Sequence, residues 1–135
     1  MQIGFTGTRE GMTIAQLAAL TEMLRGSNAT LHHGDCVGAD AEAHDIADAV
    51  GLTIVIHPPD NLELRAFKLG RYIWGPLPYL ERNREIVRCA DYLIAAPAED
   101  TEQARGGTWH AVRYARKRRK SIVIIWPNGV VRREV

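Results

Sequence analysis

The chain has 135 residues and a mass of 15.0 kDa, enough for one domain, and at 46% hydrophobic and 24% charged it has a globular composition that excludes wholesale disorder. Its formal charge of +1 hides a split, because Met1 to Asp100 carries 8 basic and 14 acidic residues (net −6) and Thr101 to Val135 carries 9 and 2 (net +7). No run approaches the roughly 20 apolar residues that span a bilayer, the start MQIGFTGTRE lacks the parts of a signal peptide, and Cys36 and Cys89 cannot build a disulfide framework, so a cytoplasmic location with reduced thiols is expected.

Five short apolar runs predict buried strands: Ile3-Gly4-Phe5, Ala29-Thr30-Leu31, Leu52 to Ile56, Tyr92 to Ala95 and Ile122 to Trp126. Between them, helical spacing is carried by Leu17, Leu20 and Leu24, by Ala43, Ile46, Ala47 and Val50, and by Ala111, Val112 and Ala115. Alternation of this kind predicts an α/β fold: one Rossmann-like three-layer domain over residues 1–135 with a mainly parallel five-stranded sheet. A ligand then belongs at the C-terminal strand ends.

The loops after the strands carry the chemistry. After the first comes Thr6-Gly7-Thr8-Arg9-Glu10-Gly11, where Gly7, Thr8 and Arg9 suit an anion; a tight turn with Thr13 capping the next helix explains the same residues. After the second comes His33 to Asp40, in which Gly34 and Gly38 flank a turn. There Asp35 is placed to accept from ribose hydroxyls, and Asp40 reads as a helix N-cap. His32, His33, Cys36 and His44 crowd this region, but neighbours in a strand point to opposite faces, and no metal is expected on them. The long connection from His57 to Pro78 predicts a partly packed helix through Leu62, Leu64, Phe67 and Leu69, or a lid. Next, Tyr79-Leu80-Glu81-Arg82-Asn83 opens a helix, with Arg82 a first-turn cation whose loss should cost no stability. After the fourth strand, Gly106-Gly107-Thr108 opens the last helix with free amides, a hydroxyl and the positive end of the dipole. The cations Arg113, Arg116, Lys117, Arg118, Arg119 and Lys120 read either as a solvated helix end or as a nucleic-acid contact.

Taken in order, these motifs resemble the SLOG superfamily, which includes the Lonely-guy cytokinin-activating proteins, the lysine decarboxylase-like proteins and the DNA-processing protein A family. Tyr79 to Asn83, the strand after it and Arg105-Gly106-Gly107-Thr108 are similar to the MHERK-like helix, strand and PGGxGT turn of Lonely-guy proteins. Gly34 to Asp40 with Ala43-His44 resembles the GxxxGxDxxAH turn of DNA-processing protein A. The resemblance implies a small nucleotide-type ligand, with phosphate on Gly106, Gly107 and Thr108, further contacts from Gly7, Thr8, Arg9, Gly34, Asp35, Gly38, Arg82 and Asn83, and a homo-oligomer. It also implies an alternative, hydrolysis of a nucleoside 5′-monophosphate at its N-glycosidic bond. That family's essential glutamate falls on Ala111, however, which leaves Glu81 and His110 as candidate catalytic residues and favours binding over turnover. No motif asks for a cofactor.

Overall fold

The computed structural model describes residues 1–135. In chain order its elements are β1 (Gln2–Gly7), α1 (Ile14–Leu24), β2 (Thr30–His33), α2 (Ala39–Ala49), β3 (Thr53–Ile56), β4 (Tyr72–Ile73), α3 (Tyr79–Cys89), β5 (Tyr92–Ala96), α4 (Gly107–Lys117), β6 (Ser121–Ile125) and β7 (Val131–Glu134). The fold is α/β, and the sheet has seven strands rather than five, ordered β4-β3-β2-β1-β5-β6-β7. Only β7 runs antiparallel.

Both additional strands are edges. β4 is two exposed residues beside β3, and β7, Val131-Arg132-Arg133-Glu134, is too polar to read as a buried strand. The helix predicted through Leu62 to Leu69 reduces to one 3₁₀ turn at Leu62–Leu64, and Phe67 and Leu69 are exposed. Asn61 caps that turn, and Phe67 takes a positive φ of 58°, which interrupts any continuing helix.

The central strands are buried on both faces, so alternation decides which layer each side chain enters. Phe5, Leu31, Ile94, Ala96, Val123 and Ile125 meet Leu20 and Leu24 of α1 and Ala39, Ala43 and Ala47 of α2. Leu93, Ala95, Ile122 and Ile124 point the other way, onto Val87 of α3 and Trp109, Ala111, Val112 and Ala115 of α4. α1 opens with a capping box, in which Thr13 accepts from the Gln16 amide and the Gln16 side chain accepts from the Thr13 amide.

Gln16 also reaches inward. Its Nε2 donates to the carbonyls of Pro97 (2.8 Å) and Ile125 (2.9 Å), tying α1 to the C-terminal ends of β5 and β6. At 1% exposure no water can replace it. Gln16→Ala strands two buried carbonyls and should cost about 2–4 kcal/mol, read as a lower urea midpoint at unchanged m-value.

Candidate functional site

β1 lies between β2 and β5, all three parallel, so the order in which strands are added to the sheet reverses there and a crevice opens at its C-terminal end. A cavity of about 320 Å³ fills that crevice, lined by the loops after β1 and β5 and the first turns of α3 and α4. Gly7 lets the layers close, since a Cβ there would lie 2.5 Å from the Ala39 side chain. Gly38, with φ of 93° and no room for a Cβ against the Arg9 and Thr8 carbonyls, turns the chain into α2.

The structure brings Gly7, Thr8, Arg9, Arg82, Asn83, Gly106, Gly107 and Thr108 together on the cavity wall. Gly106 is the N-cap of α4 at φ of 109° and supplies no side-chain cap, so the first amides of that helix keep free N–H groups. Arg9 lies over the Tyr79 ring, 5.2 Å from its centroid, and with Arg105 places a cation at the rim.

Other expected residues are elsewhere. Gly34, Asp35 and Gly38 do not line the cavity. Asp35 is wholly buried at φ of 54°, and its carboxylate accepts from Arg65 Nε and the Lys68 amide, both at 3.0 Å. It pins the 65–68 loop and has no reach to a ribose. Asp40 is not the N-cap, which is Gly38; it sits in the first turn and accepts from the Cys36 amide at 3.2 Å. Glu81 is exposed on the outer face of α3, and His110 also lies outside the cavity lining. Ala111, at 2% exposure, belongs to the apolar layer. The carboxylates at the cavity are instead Glu10, Asp40 and Glu99, of which Glu99 accepts from Trp109 Nε1 at 2.9 Å. Glu99 carries no motif signal that would have singled it out, and Tyr79 opens the Tyr79 to Asn83 motif without being an expected site residue.

Arg82 departs furthest from expectation. Because the loops after β2 and β3 fold over the start of α3, this first-turn residue is 3% exposed. Its guanidinium donates to the Gly34 carbonyl, the His57 carbonyl (3.1 Å), Cys36 Sγ (3.3 Å) and Asn83 Oδ1 (2.9 Å). A Cβ on Gly34 would lie 2.5 Å from its Nη1, so glycine is required where the arginine crosses β2. No carboxylate is within ion-pair distance of it. The cation is therefore buried at the cavity wall among neutral acceptors.

Burial pushes the Asp40 carboxyl up to about 6, with the charge of Arg82 pulling the other way. Burial likewise raises the Cys36 thiol. On the basic run, Arg113 is spent on the Gln103 and Ala104 carbonyls, Arg116 on Glu102 and Glu134, and Lys120 on the Ala90 carbonyl.

No family model matches the sequence, and no curated protein resembles it closely enough in sequence to show kinship. Solved structures share its fold. The molybdenum cofactor binding protein from the phototrophic bacterium Rippkaea orientalis superposes with a TM-score of 0.74 at 21% identity, covering 93% of this chain and 76% of its own. TM1055, a structural-genomics target, gives 0.66 at 17% identity over 88% and 70%. The fold is thereby Rossmann-like.

Two outcomes follow from the wall. Arg82→Ala leaves two carbonyls and a thiol unpaired and should destabilise by roughly 3 kcal/mol or more in denaturant unfolding, with Gly34→Ala also destabilising because it displaces the same guanidinium. Asp40 has an ordinary value of 3.8 and a folded value of about 6, so the folded state binds its proton more tightly. Its stabilising contribution is full below the unfolded value and is lost as pH rises through 6, a swing of about 3 kcal/mol. Asp40→Asn keeps an acceptor for Cys36 and should remove that swing, measured as the difference between the urea stabilities of variant and wild type at pH 3.5 and 7.5.

Proposed function

We propose that this protein binds a small nucleotide or nucleotide-derived anion in the cavity beside β1, with the phosphate on the Gly106-Gly107-Thr108 turn. The observation that carries the reading is Arg82, a buried cation without a carboxylate partner beside the uncapped start of α4. A charge held out of water without a counter-ion is costly, and a bound phosphate supplies that counter-ion. Thr108 adds a hydroxyl, Arg9 and Arg105 screen the entrance, and Tyr79 offers a ring face to a base. The volume suits a ligand of mononucleotide size. The reading agrees with the SLOG resemblance of the loops, and a neighbour of the same fold is named for binding a molybdenum cofactor.

Binding without turnover is favoured because the position expected to hold a catalytic glutamate is a buried alanine, and Glu81 faces solvent. Nucleic-acid binding loses support, since Arg113, Arg116 and Lys120 are engaged within the chain.

Calorimetry against nucleosides, nucleoside 5′-monophosphates, dinucleotides and inorganic pyrophosphate tests the reading. A monophosphate should bind at least about tenfold more tightly than its nucleoside, the scale of one charge-assisted hydrogen bond. Thr108→Ala should weaken the phosphorylated ligand and leave the nucleoside unaffected. Absence of binding by every phosphorylated compound at millimolar concentration would refute it, and chromatography of the same mixtures reads any released base.

A further inference from the structure

The β-pleat that separates His32 from His33 sends them to different layers. His33 Nε2 meets His44 Nδ1 at 2.9 Å on the α2 side, whereas His32 enters the α3 side. There it meets two groups that sequence spacing does not connect. His57 follows β3, the parallel neighbour of β2, and Cys89 is the last residue of α3. His32 Nδ1 and His57 Nε2 are 2.8 Å apart, and a ring nitrogen of each histidine and Cys89 Sγ all lie within 4.8 Å of one another.

Hydrogen-bond accounting makes this cluster unusual. Glu85, one helical turn before Cys89, accepts from His57 Nδ1 at 2.7 Å, which leaves the lone pair of His57 on Nε2. Gln2 Oε1 lies 2.6 Å from His32 Nε2; as an acceptor it takes the proton there and leaves the lone pair of His32 on Nδ1. These two lone pairs face each other across 2.8 Å. Two acceptors at that distance repel unless a proton, as on a His57 imidazolium paired with Glu85, or a metal cation lies between them. The carboxylate behind His57 and the amide oxygen behind His32 are also the outer partners that fix ligating imidazoles in structural and catalytic metal sites. The ring of Trp74, with its centroid 4.7 Å from that of His57, covers one side.

We propose that His32 Nδ1, His57 Nε2 and Cys89 Sγ bind a zinc-like divalent cation, separate from the β1 cavity. Two imidazoles and a thiolate match the donor preferences of zinc, and Cys89, half-buried, is the member of the set most open to solvent. Tetrahedral zinc with nitrogens at 2.0–2.1 Å separates them by about 3.3 Å, so the two rings part by about half an ångström on binding. The cation displaces one proton, from the Cys89 thiol to solvent. The competing arrangement has the Gln2 amide turned over, so that its NH₂ donates to His32 Nε2 and His32 Nδ1 donates to His57 Nε2. That relay is closed and holds no metal.

The experiment is titration of the chelator-treated full chain with cobalt(II) or zinc(II) alone. One equivalent of cobalt should give a thiolate-to-cobalt absorption band that zinc abolishes by displacement, and zinc should raise the unfolding midpoint. Cys89→Ser should lose the band while Cys36→Ser keeps it, and Glu85→Gln should weaken the metal by about 10- to 100-fold. In the wild-type protein, zinc should protect Cys89 from alkylation as read by mass spectrometry, a measurement that does not depend on any variant folding. Absence of stoichiometric uptake, a band that survives Cys89→Ser, or alkylation of Cys89 unaffected by zinc would overturn the site in favour of the closed relay.

Discussion

The fold's C-terminal strand ends are held by one buried guanidinium. Arg82 starts in α3 and reaches the Gly34 carbonyl after β2, the His57 carbonyl after β3 and the Cys36 thiol before α2. Gly34 and Cys36 share the loop between β2 and α2, and the guanidinium joins that loop to the end of β3 and to α3, which are distant from it in sequence. The requirement propagates outward. Gly34 has no side chain because the arginine occupies that volume, and Asn83 takes the Nε proton while its own amide points to the Gly107 carbonyl at 3.4 Å. The start of α4 is therefore positioned through the same residue pair that anchors α3.

This staple also sets the character of the cavity. Arginine stays charged at any pH the protein meets, so its burial cannot be relieved by losing a proton. The Asp40 carboxyl is raised by burial to about 6 and makes no ion pair with Arg82, so Asp40 is neutral below that value and only above it carries a negative charge near the wall. The permanent charge of Arg82 and the free amides of α4 converge on the same wall, and the exposed carboxylates Glu10 and Glu99 lie towards solvent, where water screens them.

Strands whose residues are apolar on both faces were legible in the sequence, and so were glycine-bearing loops, because both signals are local. Ile122 to Ile125 needs no neighbour to read as a buried strand, and Gly106-Gly107-Thr108 needs none to read as a helix start that can take an anion. β4 and β7 were not legible, because an edge strand keeps water on one side and so lacks the apolar pattern. The burial of Arg82 and of Asp35 was hidden for another reason. Both depend on the 57–78 connection folding back over β2 and β3, a tertiary event with no periodicity of its own. A charged residue in a helix's first turn reads as solvated until the chain that covers it is known.

The split between an acidic body and a basic C-terminal segment has the same tertiary origin. Arg116 grips Glu134 with Nε and Nη2 at 2.9 and 3.0 Å and reaches Glu102 with Nη1, and this pairing holds the Glu134 carboxyl below its usual range. α4 is thereby joined to β7, the antiparallel edge that is otherwise among the most polar parts of the sheet. Lys120 closes on the Ala90 carbonyl at the end of α3. Arg116 is thus an internal fastening for an edge strand that could not be secured by apolar contacts, while Lys117, Arg118 and Arg119 stay exposed. Arg132 and Arg133, left on that edge, discourage pairing with another strand. A run of positive charge in a sequence acquires its meaning only from where its acceptors lie, and here Arg113, Arg116 and Lys120 find them in carbonyls and carboxylates of the same chain.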